Sequence, residues 1–144
     1  RRECSIMTTP RPITVRVTVA RSAAQAWHAY TDPDAITQWN FASDDWHCPS
    51  ATNDLRVGGT LKSRMEARDG SQGFDFEATY TEVTPYKRIG YQLGPDRVVT
   101  VEFNERAGST EVAVTFTPET TFPTEYQKSG WQAILDNYKK FAER

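Results

Sequence analysis

Between Ile13 and Phe116 the chain returns again and again to strict alternation of apolar and polar residues, and after Thr124 it changes to a spacing of three and four. That change of period limits the fold more than any other feature. Alternation suits a half-buried strand, because successive side chains point to opposite faces of a sheet. Ile13-Thr14-Val15-Arg16-Val17-Thr18-Val19 alternates through β-branched residues that favour strands. Trp46 and Cys48 alternate before Pro49. Leu61, Ser63, Met65 and Ala67 share one side of another segment, with Lys62, Arg64 and Glu66 opposite. Phe74, Phe76, Ala78 and Tyr80 alternate with Asp75, Glu77 and Thr79 until Pro85 ends the run. Ile89, Tyr91 and Leu93, then Val99, Val101 and Phe103, then Val112, Val114 and Phe116 continue the series. Asp69-Gly70, Gly94-Pro95-Asp96 and Ala107-Gly108 separate these runs as turns, which predicts an antiparallel meander.

Helical spacing occurs before and after this block. Ser22, with Gln25 three residues on, is a capping box, and Ala23, Ala26, Trp27 and Tyr30 form an apolar stripe behind it. Asp32-Pro33 ends that helix and starts a second, short one bearing Ile36 and Trp39. The longest helix follows Pro123, with Thr124 as cap and Gln127 completing a second capping box. Its stripe is Trp131, Ile134, Leu135, Tyr138, Phe141 and Ala142, and the first four are expected to be buried against the sheet. The predicted class is therefore α+β: an antiparallel sheet of about six or seven strands, two short helices after the first strand, and one long C-terminal helix on one face. One helix cannot fill a wide curved sheet, so a cavity is expected between them. Residues 1–12 are expected to be a disordered tail and 13–144 a single domain, with Met7 as the natural start and residues 1–6 an addition.

Composition narrows the function. The 17 basic and 19 acidic residues leave a net charge of −2, which is not the footprint of a nucleic-acid binder. No run approaches the roughly 18 apolar residues of a membrane span, and the start has no apolar signal region. Cys4 and Cys48 are the only thiols, so a disulfide framework is not expected and a cytoplasmic location, with both reduced, is. Two histidines 19 positions apart give no metal-ligand spacing, and neither a metal nor a cofactor is expected.

His47, between Trp46 and Cys48, is read either as a general base or ligand hydrogen-bonder near the cavity mouth, or as an ordinary strand histidine. Arg64, Glu66, Asp75 and Glu77 flank the Asp69-Gly70 turn and read as a solvated ion-pair face; the alternative turns Arg64 and Asp75 inward as polar anchors. Gly58-Gly59 has neither a phosphate-loop pattern nor a following helix, and reads as a turn or bulge. Gly130 marks a close helix–sheet contact, a pocket opening or a helix-start irregularity. The aromatic residues, 12% of the chain, are the largest signal.

Several stretches together resemble a known family. They are Ala26-Trp27-His28-Ala29-Tyr30-Thr31-Asp32-Pro33 with Trp39, Asp45-Trp46-His47, and Asn53-Asp54-Leu55-Arg56-Val57-Gly58-Gly59. Ser63 to Gly70, Gly73-Phe74-Asp75-Phe76 and Gly130 to Asn137 continue the match. The chain resembles the START-like (SRPBCC) superfamily, and within it the group similar to the C-terminal domain of the activator of heat-shock-protein-ninety ATPase. The resemblance implies a helix-grip fold, with the curved sheet wrapped around the C-terminal helix. That fold hosts binders, cyclases, hydroxylase subunits and co-chaperone domains, so it does not by itself set the function.

The expected function is binding of a small, largely apolar molecule between sheet and helix. The expected ligand-binding residues are Trp39, Trp46, His47, Ser63, Met65, Phe76, Tyr80 and Trp131. The alternatives are an enzyme acting in the same pocket and a chaperone-interacting module. The protein is expected to be a monomer or weak homodimer.

Overall fold

Each alternating segment forms a strand. The computed structural model describes residues 11–120 and 122–144. The expectations for Met7, Cys4 and most of the tail lie outside the described residues; Arg11 and Pro12 have no regular secondary structure. In chain order the elements are β1 (Ile13–Val19), α1 (Ala23–Thr31), α2 (Pro33–Trp39), β2 (Trp46–Asn53), β3 (Thr60–Ala67), β4 (Gly73–Thr84), β5 (Arg88–Gly94), β6 (Arg97–Arg106), β7 (Ser109–Phe116) and α3 (Thr124–Ala142).

All seven strands belong to one curled antiparallel sheet in the order β1-β7-β6-β5-β4-β3-β2. The strands from β2 to β7 are sequential neighbours, as tight turns dictate. The exception is β1, which pairs with β7 at the opposite edge from β2. α1 and α2 carry the chain from one edge of the sheet to the other. Val15, Val17 and Val19 of β1, Val99, Val101 and Phe103 of β6, and Val112, Val114 and Phe116 of β7 are all buried on the inner face.

Local signals place the element ends. Ser22 and Gln25 form the expected reciprocal capping box of α1. Asp32 caps α2 through Asp34 N–H, with Pro33 in the first helical turn. At the β6–β7 turn Ala107 (φ 53°) and Gly108 (φ 84°) are both left-handed, the backbone that a two-residue hairpin needs. Gly59 is required by close approach, because a Cβ there would lie 2.1 Å from the Asp54 carbonyl oxygen. Gly58 and Gly59 bond to the Tyr80 backbone, which makes the pair a turn joined to β4.

The start of α3 differs from expectation. Pro123, not Thr124, holds the cap position, and no side chain caps the helix. Gln127 is buried, and its amide is spent on the preceding loop instead. It accepts from Glu119 N–H at 2.7 Å and donates to the carbonyls of Glu119 (2.8 Å) and Phe122 (2.9 Å).

α3 is fastened to β1 and α1 by long-range bonds. Lys139 Nζ donates to the Thr18 carbonyl, and the Glu143 carboxylate accepts from Lys139 Nζ at 2.7 Å and from Ala20 N–H at 2.8 Å. Tyr138 is fully buried and donates to the Ala26 carbonyl at 2.6 Å. Leu135 is also buried, whereas Trp131 and Ile134 are only half-buried. This corrects the expectation for that helix face, and the cause is a space that α3 leaves open above the sheet.

Candidate functional site

That space is a partly open cavity of about 480 Å³ between the inner face of the sheet, α2 and α3. Parity in the strands decides what reaches it. Leu61 and Met65 of β3, Phe74 and Phe76 of β4, Tyr91 and Leu93 of β5 and Val114 of β7 supply the floor. Trp131, Ile134 and Leu135 of α3, and Ile36 and Trp39 of α2, supply the roof and one end. Trp131 lies flat on Phe116, with ring centroids 4.3 Å apart and planes 11° from parallel. Tyr30 of α1 packs edge-on against Tyr138, with centroids 5.1 Å apart, and lines the same cavity.

Four of the eight residues expected from the sequence line this cavity: Trp39, Met65, Phe76 and Trp131. The other four lie elsewhere. Trp46 packs against Phe74, with centroids 6.0 Å apart, and so stands behind a cavity residue. Ser63 is buried on the inner face, but Asn40 Nδ2 donates to its Oγ at 3.0 Å, and it is Asn40 that reaches the cavity. Tyr80 is buried and donates to Asn53 Oδ1 at 2.6 Å; burial pushes its pKa up to about 12. Asn53 Nδ2 in turn donates to the Thr31 carbonyl at 2.7 Å, so this chain of bonds ties β4 and β2 to α1.

His47 does not reach the cavity. It pairs in register with Glu66 across β2 and β3, and its Nε2 lies 3.8 Å from Glu66 Oε1. Alternation with buried Cys48 already puts His47 on the other face. His28 is on the surface of α1, 3.8 Å from Asp32 Oδ2. Arg64 bonds Glu66 at 2.9 Å and Asp75 at 3.5 Å on the outer face, as the ion-pair reading expects. Among the described residues, no three His, Cys, Asp or Glu side chains group as metal ligands.

The residues missed from the sequence are mainly Tyr30, Asn40, Tyr91 and Arg97. Burial raises the hydroxyl pKa of both Tyr30 and Tyr91 well above the ordinary tyrosine range. Tyr91 had a signal in its alternation with Ile89 and Leu93. Arg97 shares parity with Val99 and Val101, which turns its side chain toward the inner face at the start of β6. Among the described residues no carboxylate pairs with it within 4.0 Å; its Nε donates to the Thr117 carbonyl at 3.5 Å. The wall is thus mainly aromatic and aliphatic, and the charged side chains of Asp75, Glu77, Arg97 and Glu119 border it as well.

A family model described as "Activator of Hsp90 ATPase homolog 1-like protein" matches residues 20–143. The chain belongs to this family. The AHSA1-like family is part of the START-like (SRPBCC) superfamily. Among solved structures, the chain is similar to an AHSA1-like protein from Aeromonas hydrophila, at 40% identity over 91% of both chains, with a TM-score of 0.85. A Cytophaga hutchinsonii protein is 42% identical over 90% of each chain, with a TM-score of 0.79. A Chromobacterium violaceum protein is 23% identical, with a TM-score of 0.83 over 94% of this chain and 99% of that one, and shares the fold. No curated protein matches the chain. The AHSA1-like assignment accounts for the layout of sheet, short helices and long helix. Among the described residues no helix is long and apolar enough to cross a membrane.

Proposed function

We propose that this AHSA1-like protein binds a small, largely apolar molecule in the cavity between its sheet and α3. The single observation that carries the reading is the continuous 480 Å³ space walled mostly by aromatic and aliphatic side chains, with the charged Asp75, Glu77, Arg97 and Glu119 also on its border. Ligand sites are typically about 300–1,000 Å³, mostly apolar, with a few polar groups that fix orientation. The half-burial of Trp131 and Ile134 fits side chains that face this cavity. The binding residues in this reading are Trp39, Met65, Phe76 and Trp131, joined by Tyr30 and Tyr91. Residues 13–144 act as one unit in the cytoplasm, a location that the unpaired, buried Cys48 suits.

The test is titration with 1-N-phenylnaphthylamine, an uncharged apolar fluorophore, read by its own emission and by the melting temperature. Binding only the folded state raises that temperature. A dissociation constant near the micromolar range, about −8 kcal/mol, is expected. Ile134→Trp projects a larger ring into the cavity and should abolish binding while unfolding stays cooperative. Absence of binding to the unaltered protein would overturn the proposal.

A second reading follows from the family description. Phe122 and Tyr126, 50% and 70% exposed with rings 6.1 Å apart, form an exposed aromatic pair at the start of α3 that a chaperone could contact. Loss of a measured chaperone contact on Phe122→Ser with Tyr126→Ser, with probe binding unchanged, is the result that would support it.

A further inference from the structure

The charged side chains that border the cavity come from one end of the sheet. Asp75 and Glu77 lie near the start of β4, Arg97 begins β6, and Glu119 follows the end of β7. Antiparallel order puts those three places at the same end. Nearer the middle of their strands, Tyr91 and Val114 continue the wall without charge. The space therefore has a charged end and an apolar length, which matches a molecule with a charged head.

The four charges are not equivalent. Asp75 is bonded to Arg64 at 3.5 Å on the outer face. Glu77 alternates with the inward-facing Phe76 and Ala78, is exposed, and stands opposite Lys62 in the β3–β4 register. Glu119 is exposed, and Gln127 holds its backbone N–H and carbonyl. Water solvates these carboxylates, and salt screens them. Arg97 is half-buried and turned toward the inner face. Its Nε donates to the Thr117 carbonyl at 3.5 Å, and among the described residues neither Nη group has an acceptor and no carboxylate lies within 4.0 Å. A half-buried cation with unmet donors costs more than a carboxylate left in water. Arg97 is thus the charge at this end with most to gain from a partner, and a guanidinium takes a carboxylate through two parallel N–H···O bonds.

Resting on the cavity-binding reading, we infer that Arg97 receives the carboxylate head of an amphipathic monocarboxylic acid whose apolar body fills the cavity. The two Nη groups hold the head end-on, because Nε is committed to Thr117. The body then runs past Leu93 and Tyr91 toward Trp131. The rim carboxylates oppose such a head, so a cationic head is the competing occupant.

Probes with one tail and different heads test this on the full chain at neutral pH: decanoate, decan-1-ol and decylammonium. Affinities are read by displacement of bound 1-N-phenylnaphthylamine and checked by calorimetry. Decanoate is expected to bind tightest, about tenfold more tightly than decanol, the size of a charge-assisted pair at a partly exposed site. Arg97→Gln should bring the decanoate-to-decanol ratio close to one. Arg97→Lys keeps the charge but loses the fork, and should retain only about a threefold preference. Both variants are checked for cooperative unfolding; if the glutamine variant does not fold, the lysine variant carries the test, and an unchanged ratio would overturn the inference. A preference that survives Arg97→Gln would do the same. Decylammonium binding as tightly as decanoate or more so would also overturn it, because the rim carboxylates would then choose the head. Equal binding of decanoate and decanol would overturn it too. In each of these cases displacement of the naphthylamine leaves the cavity reading standing. If neither the naphthylamine nor any decyl probe binds, the cavity reading falls and this inference with it.

Discussion

Truncating Trp131 to alanine measures how far α3 is from being packed on the sheet. A large aromatic enclosed on all sides costs about 3–5 kcal/mol to truncate. Trp131 is not enclosed: it is stacked on fully buried Phe116 at 4.3 Å and also lines the cavity. Counting about half of the enclosed cost and adding about 0.5–1 kcal/mol for the stacked geometry gives about 2–3.5 kcal/mol. For a domain of this size that is a fall in melting temperature of roughly 6–10 °C. Urea unfolding, with the slope unchanged and the midpoint lowered, supplies the free energy. Trp131→Phe keeps a ring on Phe116 and should cost about 1 kcal/mol. A loss of about 4 kcal/mol or more for the alanine variant would refute the reasoning, because it would mean that the ring is enclosed and no space exists beside it. A loss below about 1 kcal/mol would refute the stacking contribution.

Gly130→Ala should stabilise the protein by about 1 kcal/mol and raise the melting temperature by about 3 °C, because a Cβ there meets nothing within 4 Å and alanine is the better helix former. Cys48, 3% exposed and with its thiol pKa raised by burial, should react with a disulfide reagent slowly in the native protein and quickly in urea; rapid native reaction would count against its burial. The Glu143 carboxylate is held below the usual range, first by its bond to Lys139 and then by Ala20 N–H. A carboxyl with a lowered folded pKa stabilises fully above its unfolded value and loses that contribution as pH falls through the folded one. The melting-temperature gap between the unaltered protein and Glu143→Gln should therefore be widest at neutral pH and close on acidification; a gap constant from pH 7 to pH 3 would contradict the assignment.

Alternation, caps and turns are local properties, and the sequence by itself determined them. Ser22 and Gln25 can cap a helix wherever it packs, and Ala107-Gly108 can reverse the chain whatever lies above the sheet. Side-chain parity follows from the same local rule, which is why Met65, Phe76 and Tyr91 could be assigned to one face. It also opposed the expectation for His47, whose neighbour Cys48 takes the inner face. Gln127 shows where local reasoning fails: its spacing from Thr124 fits a capping box, but loop carbonyls and an N–H that only the folded chain brings near claim its amide. Parity cannot say which stretch of the inner face stays uncovered. That depends on where α2 and α3 come to rest, and hence on contacts such as Trp131 on Phe116 and Tyr138 on Ala26, more than a hundred residues away in the second case. Ser63 and Tyr80 have the right face but find partners in Asn40 and Asn53, while Tyr30 and Tyr91 border open space. The cavity is a gap between elements, and a gap has no residue of its own in the sequence; only the tertiary arrangement of its walls creates it.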